Sequence, residues 1–207
     1  MIDTLDWRCF LSLESEFVDT LNTVEFHKDN FSTFSIRYRS LILQTCAEIE
    51  KFCKYICNIP QEEHSNMGIY REYINEFHKG FSNIQIIIPS HLLCVSPWLA
   101  FNENKSPHFW QAYQAIKHQG KLNEATFDIA LQSLAAHFAI MVAWHVKSLG
   151  TDFSKNASFN EPKLFTVPEL KHSSLVLSGS KLAIPGFTDN LLSGENDNTT
   201  HSLQHSR

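Results

Sequence analysis

The stretch Ser106-Pro-His-Phe-Trp-Gln-Ala-Tyr-Gln-Ala-Ile-Lys-His118 predicts the helix around which the rest of this chain is organised. Ser106 is suited to cap such a helix, and Pro107 fits its first turn, where the missing N–H of proline costs nothing. The apolar side chains that follow recur at helical spacing and define one buried face: Phe109, Trp110, Tyr113 and Ile116.

The C-terminal end of this helix is basic, because Lys117 and His118 are its last charged or titratable residues before Gly120. The negative end of the helix dipole favours positive charge at this position. Such a pair suits a small basic pocket. The plain alternative is an amphipathic helix whose basic end is merely solvated.

The composition is that of a folded protein without a broad nucleic-acid-binding surface. The chain has 207 residues, 43% of them hydrophobic, and is long enough to bury a substantial core. Its formal net charge of −5 argues against a broad electrostatic grip on DNA. We expect no membrane segment, because the N-terminus lacks a signal-peptide pattern and no apolar run approaches the length needed to span a bilayer.

The cysteines and histidines predict neither a disulfide framework nor a metal site. The 5 cysteines form an odd set without the spacing of zinc ligands, as expected for a cytoplasmic protein. His137 and His145 lie too far apart along one predicted helix to share an ion. We therefore expect no metal and no cofactor.

Four further segments have helical periodicity and, with the central helix, predict a mainly α bundle of four to five helices. These segments are residues 5–24, 33–58, 68–79 and 122–149. Glu50 and Lys54 are spaced for an ion pair within the second segment, and Phe77 is expected to face inward in the third. Asn123 or Thr126 is expected to cap the last one.

The remaining segments are predicted to be extended or irregular. Residues 84–88, which precede Pro89, are rich in isoleucine and predict one short β-like segment across the surface of the bundle. Residues 1–150 are expected to form the bundle, and residues 151–187 an irregular or extended C-terminal segment that packs on it, with two short strands within 174–184. The polar residues 188–207 predict a disordered tail.

Three separated motifs in this chain resemble bacterial proteins of the HEPN superfamily. The first is Phe109-Trp110-x-x-Tyr113-Gln114-x-Ile116-Lys117-His118, the second is Asn123-Glu-Ala-Thr126, and the third is the helix within 34–50. The resemblance implies a helical bundle that forms a homodimer. It also implies a metal-independent ribonuclease of a toxin–antitoxin, phage-defence or RNA-processing system, with RNA and an antitoxin-like protein as partners.

The same resemblance assigns candidate site residues. The HEPN signature is Arg, a polar residue and, after a short gap, His. His118 matches the signature His and Gln114 the polar residue, whereas Tyr113 stands where Arg is expected. Because tyrosine carries no positive charge, the resemblance implies that Lys117 or a partner chain stabilises the substrate phosphate.

A second pair, Arg71 and His78, also has the gap of the signature and is a candidate substrate-binding pair. The two residues share a face of the predicted helix. Chance spacing is the alternative, because Tyr70 and Tyr73 already explain this helix as part of the core.

Two hypotheses follow for the function. In the first, the protein engages RNA or a nucleotide at the end of the central helix and, if it is an enzyme, cleaves RNA through attack of the 2′-OH. In the second, it is a non-catalytic dimeric interaction or scaffold protein. Phe109, Trp110 and Tyr113 are then a packing surface for a partner.

Overall fold

The computed structural model describes residues 4–149 and 162–166, and within them the predicted mainly α fold is confirmed. The segment 174–184 and the tail 188–207 lie outside the described residues. The described chain forms five α-helices and a two-stranded antiparallel sheet. The helices are α1 (Thr4–Thr20), α2 (Ile36–Ile56), α3 (Met67–Phe77), α4 (His108–Gln119) and α5 (Phe127–Leu149), and the strands are β1 (Ile86–Ile88) and β2 (Leu93–Val95).

The helices α2 and α5 pack against each other at the centre of the bundle, and α1 and α4 lie against both. The small side chains of Ala135, Ala136 and Ala139 are fully buried and allow the helices to approach closely. The ring of Phe127 joins the helices at one end, with centroids 5.2 Å from Phe17 and 5.7 Å from Tyr38. One continuous core therefore runs through the bundle.

The expectation that no apolar run has spanning length was wrong for α5. Residues Phe127–Trp144 are long and apolar enough to cross a membrane, with a mean hydropathy of 1.4. However, 83% of this window is buried within the protein. This is the environment of a core helix in a soluble protein, because the other helices cover its apolar surface.

The predicted single β-like segment is one strand of a hairpin. Ile86 pairs with Val95 and Ile88 with Leu93. The chain turns through Leu92, which has a left-handed backbone (φ 51°) although it is not glycine. Because no Asn-Gly or similar pair marks this turn, no local pattern predicted the second strand.

The short segment 162–166 is held against the bundle by three kinds of contact. The buried carboxylate of Glu14 accepts hydrogen bonds from the backbone N–H groups of Lys163 and Leu164, both at 2.8 Å. Thr166 exchanges backbone hydrogen bonds with Ile87 of β1. The side chains of Leu164 and Phe165 are buried.

The ends of α3, α4 and α5 differ in how far they match the local predictions. The N-cap of α4 is Pro107 rather than Ser106, and no side chain caps it. Thr126 caps α5, because its Oγ1 accepts a hydrogen bond from the N–H of Ile129 at 3.3 Å. Phe77 is 52% exposed at the end of α3, so the prediction that it faces inward was wrong.

Candidate functional site

A cleft of about 620 Å³ opens between the start of α3 and the polar side of α4. Its size is that of a site for a small molecule or a single nucleotide. Three of the sequence-predicted site residues line it, namely Gln114, Lys117 and His118. The other residues at its wall are Glu50, Ser65, Asn66, Met67, Gly68, Ser106, Trp110 and Gln111.

The amphipathic pattern of α4 explains why its polar residues meet in this cleft. Its apolar face is buried in the core through Phe109, Trp110, Tyr113 and Ile116. Side chains three and four positions apart share a helix face, so Gln111, Gln114, Lys117 and His118 project together beside this apolar face. Trp110 is 7% exposed and forms the boundary between the core and the cleft.

Tyr113 holds the ammonium group of Lys117. The Lys117 Nζ donates a hydrogen bond to the Tyr113 hydroxyl at 3.1 Å and lies 5.3 Å from the centroid of the same ring. This hydrogen bond raises the pKa of Lys117, and the Glu50 carboxylate adds to the effect. Tyr113 itself is buried and does not line the cleft, so it acts on the site through Lys117.

Gln114 and His118 are the uncommitted polar side chains of α4 in the cleft. Gln114 is half-buried and His118 is exposed. Neither side chain has a hydrogen bond or ion pair with any residue in the described ranges 4–149 and 162–166. By contrast, Gln111 donates to the carbonyl oxygen of Ser106 at 2.8 Å. Gln114 and His118 are therefore available to a ligand.

Glu50 of α2 lines the cleft, although the sequence did not predict it as a site residue. The expected ion pair with Lys54 is not formed, because Lys54 Nζ instead donates to the carbonyl oxygen of Gln61 at 2.7 Å. Glu50 affects the titration of side chains on both neighbouring helices. Burial raises the pKa of Tyr70 on α3 with a smaller contribution from Glu50, and Glu50 also contributes to the raised pKa of Lys117 on α4.

The N-terminus of α3 forms the opposite wall of the cleft. Asn66 caps this helix, since its Oδ1 accepts hydrogen bonds from the N–H groups of Gly68 at 2.9 Å and Ile69 at 3.2 Å. This cap fixes the position of the wall by satisfying two of the free N–H groups of the first turn.

The second predicted pair, Arg71 and His78, lies outside the cleft lining. Arg71 donates to the carbonyl oxygen of Asn104 at 2.8 Å and approaches Glu72 at 3.7 Å. His78 is buried at the end of α3, with its ring 5.9 Å from that of Tyr73. The structure thus brings Gln114, Lys117 and His118 together at one site and places this pair elsewhere.

No group of three or more His, Cys, Asp or Glu side chains suited to a metal ion occurs among the described residues. His137 is fully buried in α5 between aromatic rings. The side chain of His145 lies outside the described part of the chain.

Comparisons with known proteins identify no relative of this chain. No family model, no curated protein and no solved structure matches the chain. Any function assigned to the cleft therefore depends on the chemistry of its own residues.

Proposed function

We propose that the protein engages RNA or a nucleotide, with one nucleotide unit bound in the cleft between α3 and α4. The observation that carries this proposal is the meeting of Gln114, Lys117 and His118 at one cleft of about 620 Å³. Pockets of this size bury most of a small ligand.

The side chains of the cleft suit the parts of a nucleotide. Lys117 is a cation at neutral pH and His118 is an imidazole, and both donate hydrogen bonds to phosphate oxygens. The amide of Gln114 presents a donor and an acceptor to a base edge. Since the net charge of the chain is −5, recognition would be confined to this site and would not extend over a broad basic surface.

The broader role rests on the resemblance of three segments to the HEPN superfamily. We propose a cytoplasmic, homodimeric HEPN-like protein of a defence or toxin–antitoxin system, whose partners are RNA and an antitoxin-like protein. In this reading Tyr113 does not replace the signature Arg directly. It supplies the hydrogen bond that positions Lys117 at the cleft.

The alternative proposal is an interaction or scaffold protein. The predicted packing surface of Phe109, Trp110 and Tyr113 cannot contact a partner in this structure, because all three side chains are buried within their own chain. Such a surface would instead use exposed apolar side chains. Phe34 and Ile36, which are 55% and 66% exposed at the start of α2, favour this second candidate.

The binding proposal is tested with a fluorescein-labelled single-stranded RNA whose 2′-OH groups are replaced by 2′-fluoro, so that it cannot be cleaved by 2′-OH attack. We expect Gln114→Ala and His118→Ala to weaken binding several-fold each, which corresponds to about 1 kcal/mol per lost hydrogen bond. Fluorescence anisotropy measures the dissociation constants.

His108→Ala and Lys121→Ala are the matched controls. Both side chains are exposed at or near the ends of α4 and neither lines the cleft. Weaker binding in the two cleft variants together with unchanged binding in these two controls would confirm that the cleft is the site. Absence of RNA binding in the wild type, or equal losses in cleft and control variants, would contradict the proposal. A dimer disrupted by Ile36→Asp without any RNA binding would favour the scaffold alternative.

A further inference from the structure

Glu50 brings a carboxylate into the same cleft as an imidazole and an ammonium group. It projects from α2, whereas His118 and Lys117 project from α4. A general base, a general acid and a cation at one site are groups that can cleave an RNA phosphodiester. Their juxtaposition therefore suggests more than binding.

The Glu50 carboxylate is uncommitted, unlike the other acidic group on α2. The Glu48 carboxylate binds Lys51 Nζ at 2.6 Å, and the same ammonium binds Asp6 at 2.7 Å. Glu50 has no hydrogen bond or ion pair with any residue within 4–149 or 162–166. Lys54 Nζ donates its hydrogen bond to the carbonyl oxygen of Gln61, so within the described residues the Glu50 carboxylate is free to accept a hydrogen bond from a ligand.

We infer that Glu50 is the general base and His118 the general acid in the cleavage of an RNA phosphodiester bound in the cleft, an inference that rests on the proposed function. Glu50 accepts the proton of the 2′-OH while O2′ forms a bond to phosphorus. The bond between phosphorus and O5′ breaks, and O5′ takes a proton from His118. The products are a 2′,3′-cyclic phosphate and a 5′-hydroxyl, and water then returns the protons to their starting positions.

The roles follow from the chemistry of the two groups. A carboxylate is in its basic form at neutral pH, whereas an imidazole can carry and donate a proton there. His118 lies in the last turn of α4 and lines the cleft together with Glu50. Lys117, held by Tyr113, is placed to neutralise charge that develops on the phosphate oxygens.

The first test compares wild type with Glu50→Gln, which keeps the shape of the side chain and removes its basicity. Cleavage of an all-ribose RNA in EDTA is measured alongside binding of the 2′-fluoro RNA. We expect cleavage to fall by about 10²- to 10⁴-fold while binding changes by less than about threefold. Glu63→Gln is the control, because it removes the same charge from an exposed loop residue outside the cleft.

The second test separates the two roles with a nucleoside 3′-(4-nitrophenyl phosphate). Nitrophenolate leaves without protonation, so this substrate requires a base but no acid. We expect Glu50→Gln to lower the kcat for this substrate by about 10²- to 10⁴-fold, and His118→Ala to lower it much less than it lowers cleavage of the all-ribose RNA. The opposite pattern would overturn the assignment of Glu50 as the base.

The outcomes distinguish this inference from the proposed function. Wild type that binds the 2′-fluoro RNA but does not cleave the ribose RNA overturns the inference and leaves the binding site intact. Cleavage by Glu50→Gln within about threefold of wild type also overturns it. Absence of binding overturns the proposed function and, with it, this inference.

Discussion

His137 lies in the middle of α5 with its ring 5.5 Å from that of Phe10 and 5.8 Å from that of Phe52. Neither ring nitrogen has a hydrogen-bond partner among the described residues. Burial lowers the pKa of His137 to about 3, with a smaller contribution from Lys51. The imidazole is therefore neutral in the folded protein and acts as an interior aromatic group.

His137 should make the protein sensitive to acid. The unfolded chain binds a proton at a pKa of about 6.5, whereas the folded chain binds it only near 3. Stability is therefore lost as the pH falls from about 6.5 towards 3, and the loss is about 2 kcal/mol at about pH 5. We expect His137→Leu to reduce this loss, as measured by urea unfolding at neutral and acidic pH.

Phe138→Leu is a suitable control for His137→Leu. It alters a buried ring of the same helix but removes no titratable group. We expect it to lower stability equally at both pH values. If the stability of His137→Leu depended on pH as strongly as that of wild type, His137 would not be the source of the acid sensitivity.

Glu14 should contribute to stability with the opposite pH dependence. Burial raises the pKa of this carboxyl, although backbone N–H groups of Lys163, Leu164 and Phe165 oppose the shift. A raised pKa means that the folded chain holds the proton more tightly than the unfolded chain does. The contribution is therefore full below the unfolded pKa and is lost as the pH rises through the folded pKa.

Replacement of Glu14 by Gln should destabilise the protein by about 1–3 kcal/mol at neutral pH, because an amide NH₂ then faces a backbone donor. The difference from wild type should widen as the pH falls, since only wild type gains the proton-linked stability. Urea unfolding across this pH range measures both effects. If the difference in stability between wild type and Glu14→Gln narrowed as the pH fell, the predicted upward direction of the Glu14 pKa shift would be wrong.

At the scale of the element, α4 depends on the glycine that ends it. Gly120 has φ 66°, and its N–H bonds to the carbonyl oxygen of Ala115. A Cβ at this position would meet nothing within 4 Å, so a substitution costs backbone strain alone. This end of the helix also carries Lys117 and His118, so its geometry matters to the cleft.

We expect Gly120→Ala to destabilise the protein by about 1 kcal/mol. Gly120→Asn should cost less, because asparagine tolerates the left-handed conformation better. Thermal unfolding measures the order of the three proteins. Equal stability of the Ala and Asn variants would contradict the strain argument.

At the scale of the whole molecule, the segment 162–166 joins the hairpin to the helical core. The Phe165 ring lies 6.0 Å from that of Phe138 and 6.3 Å from that of Phe10. The next residue, Thr166, accepts a hydrogen bond from the N–H of Ile87 at 2.7 Å. Packing in the core and pairing at the strand edge are therefore coupled through two adjacent residues.

Phe165→Ala should cost about 3–5 kcal/mol, as for other buried rings. It should also speed hydrogen exchange at the N–H of Ile87, because the packed Phe165 ring no longer holds the adjacent Thr166 carbonyl in place. Leu99→Ala, at a side chain that is 50% exposed, is the control and should leave that exchange rate unchanged. Unaltered protection of Ile87 in Phe165→Ala would show that strand pairing is independent of core packing.

The fold was predictable where the signal is local. Helical periodicity alone indicated all five α-helices, and Thr126 was among the expected caps. The hairpin was only half predicted, because β2 is short and its turn contains a left-handed leucine. The prediction for Phe77 was wrong because helical periodicity shows which side chains share a face of α3 but not whether another element covers the end of that face.

The sequence by itself determined that α4 has an apolar face and a polar face ending in Lys117 and His118, because residues three and four apart share a side of any helix. The tertiary structure alone decided that Glu50 faces those groups, since it depends on how α2 packs beside α4. It also decided that Glu14 holds Leu164, which is 150 residues away. Contacts between residues so far apart in the chain form only when the whole core packs, and no local pattern encodes them.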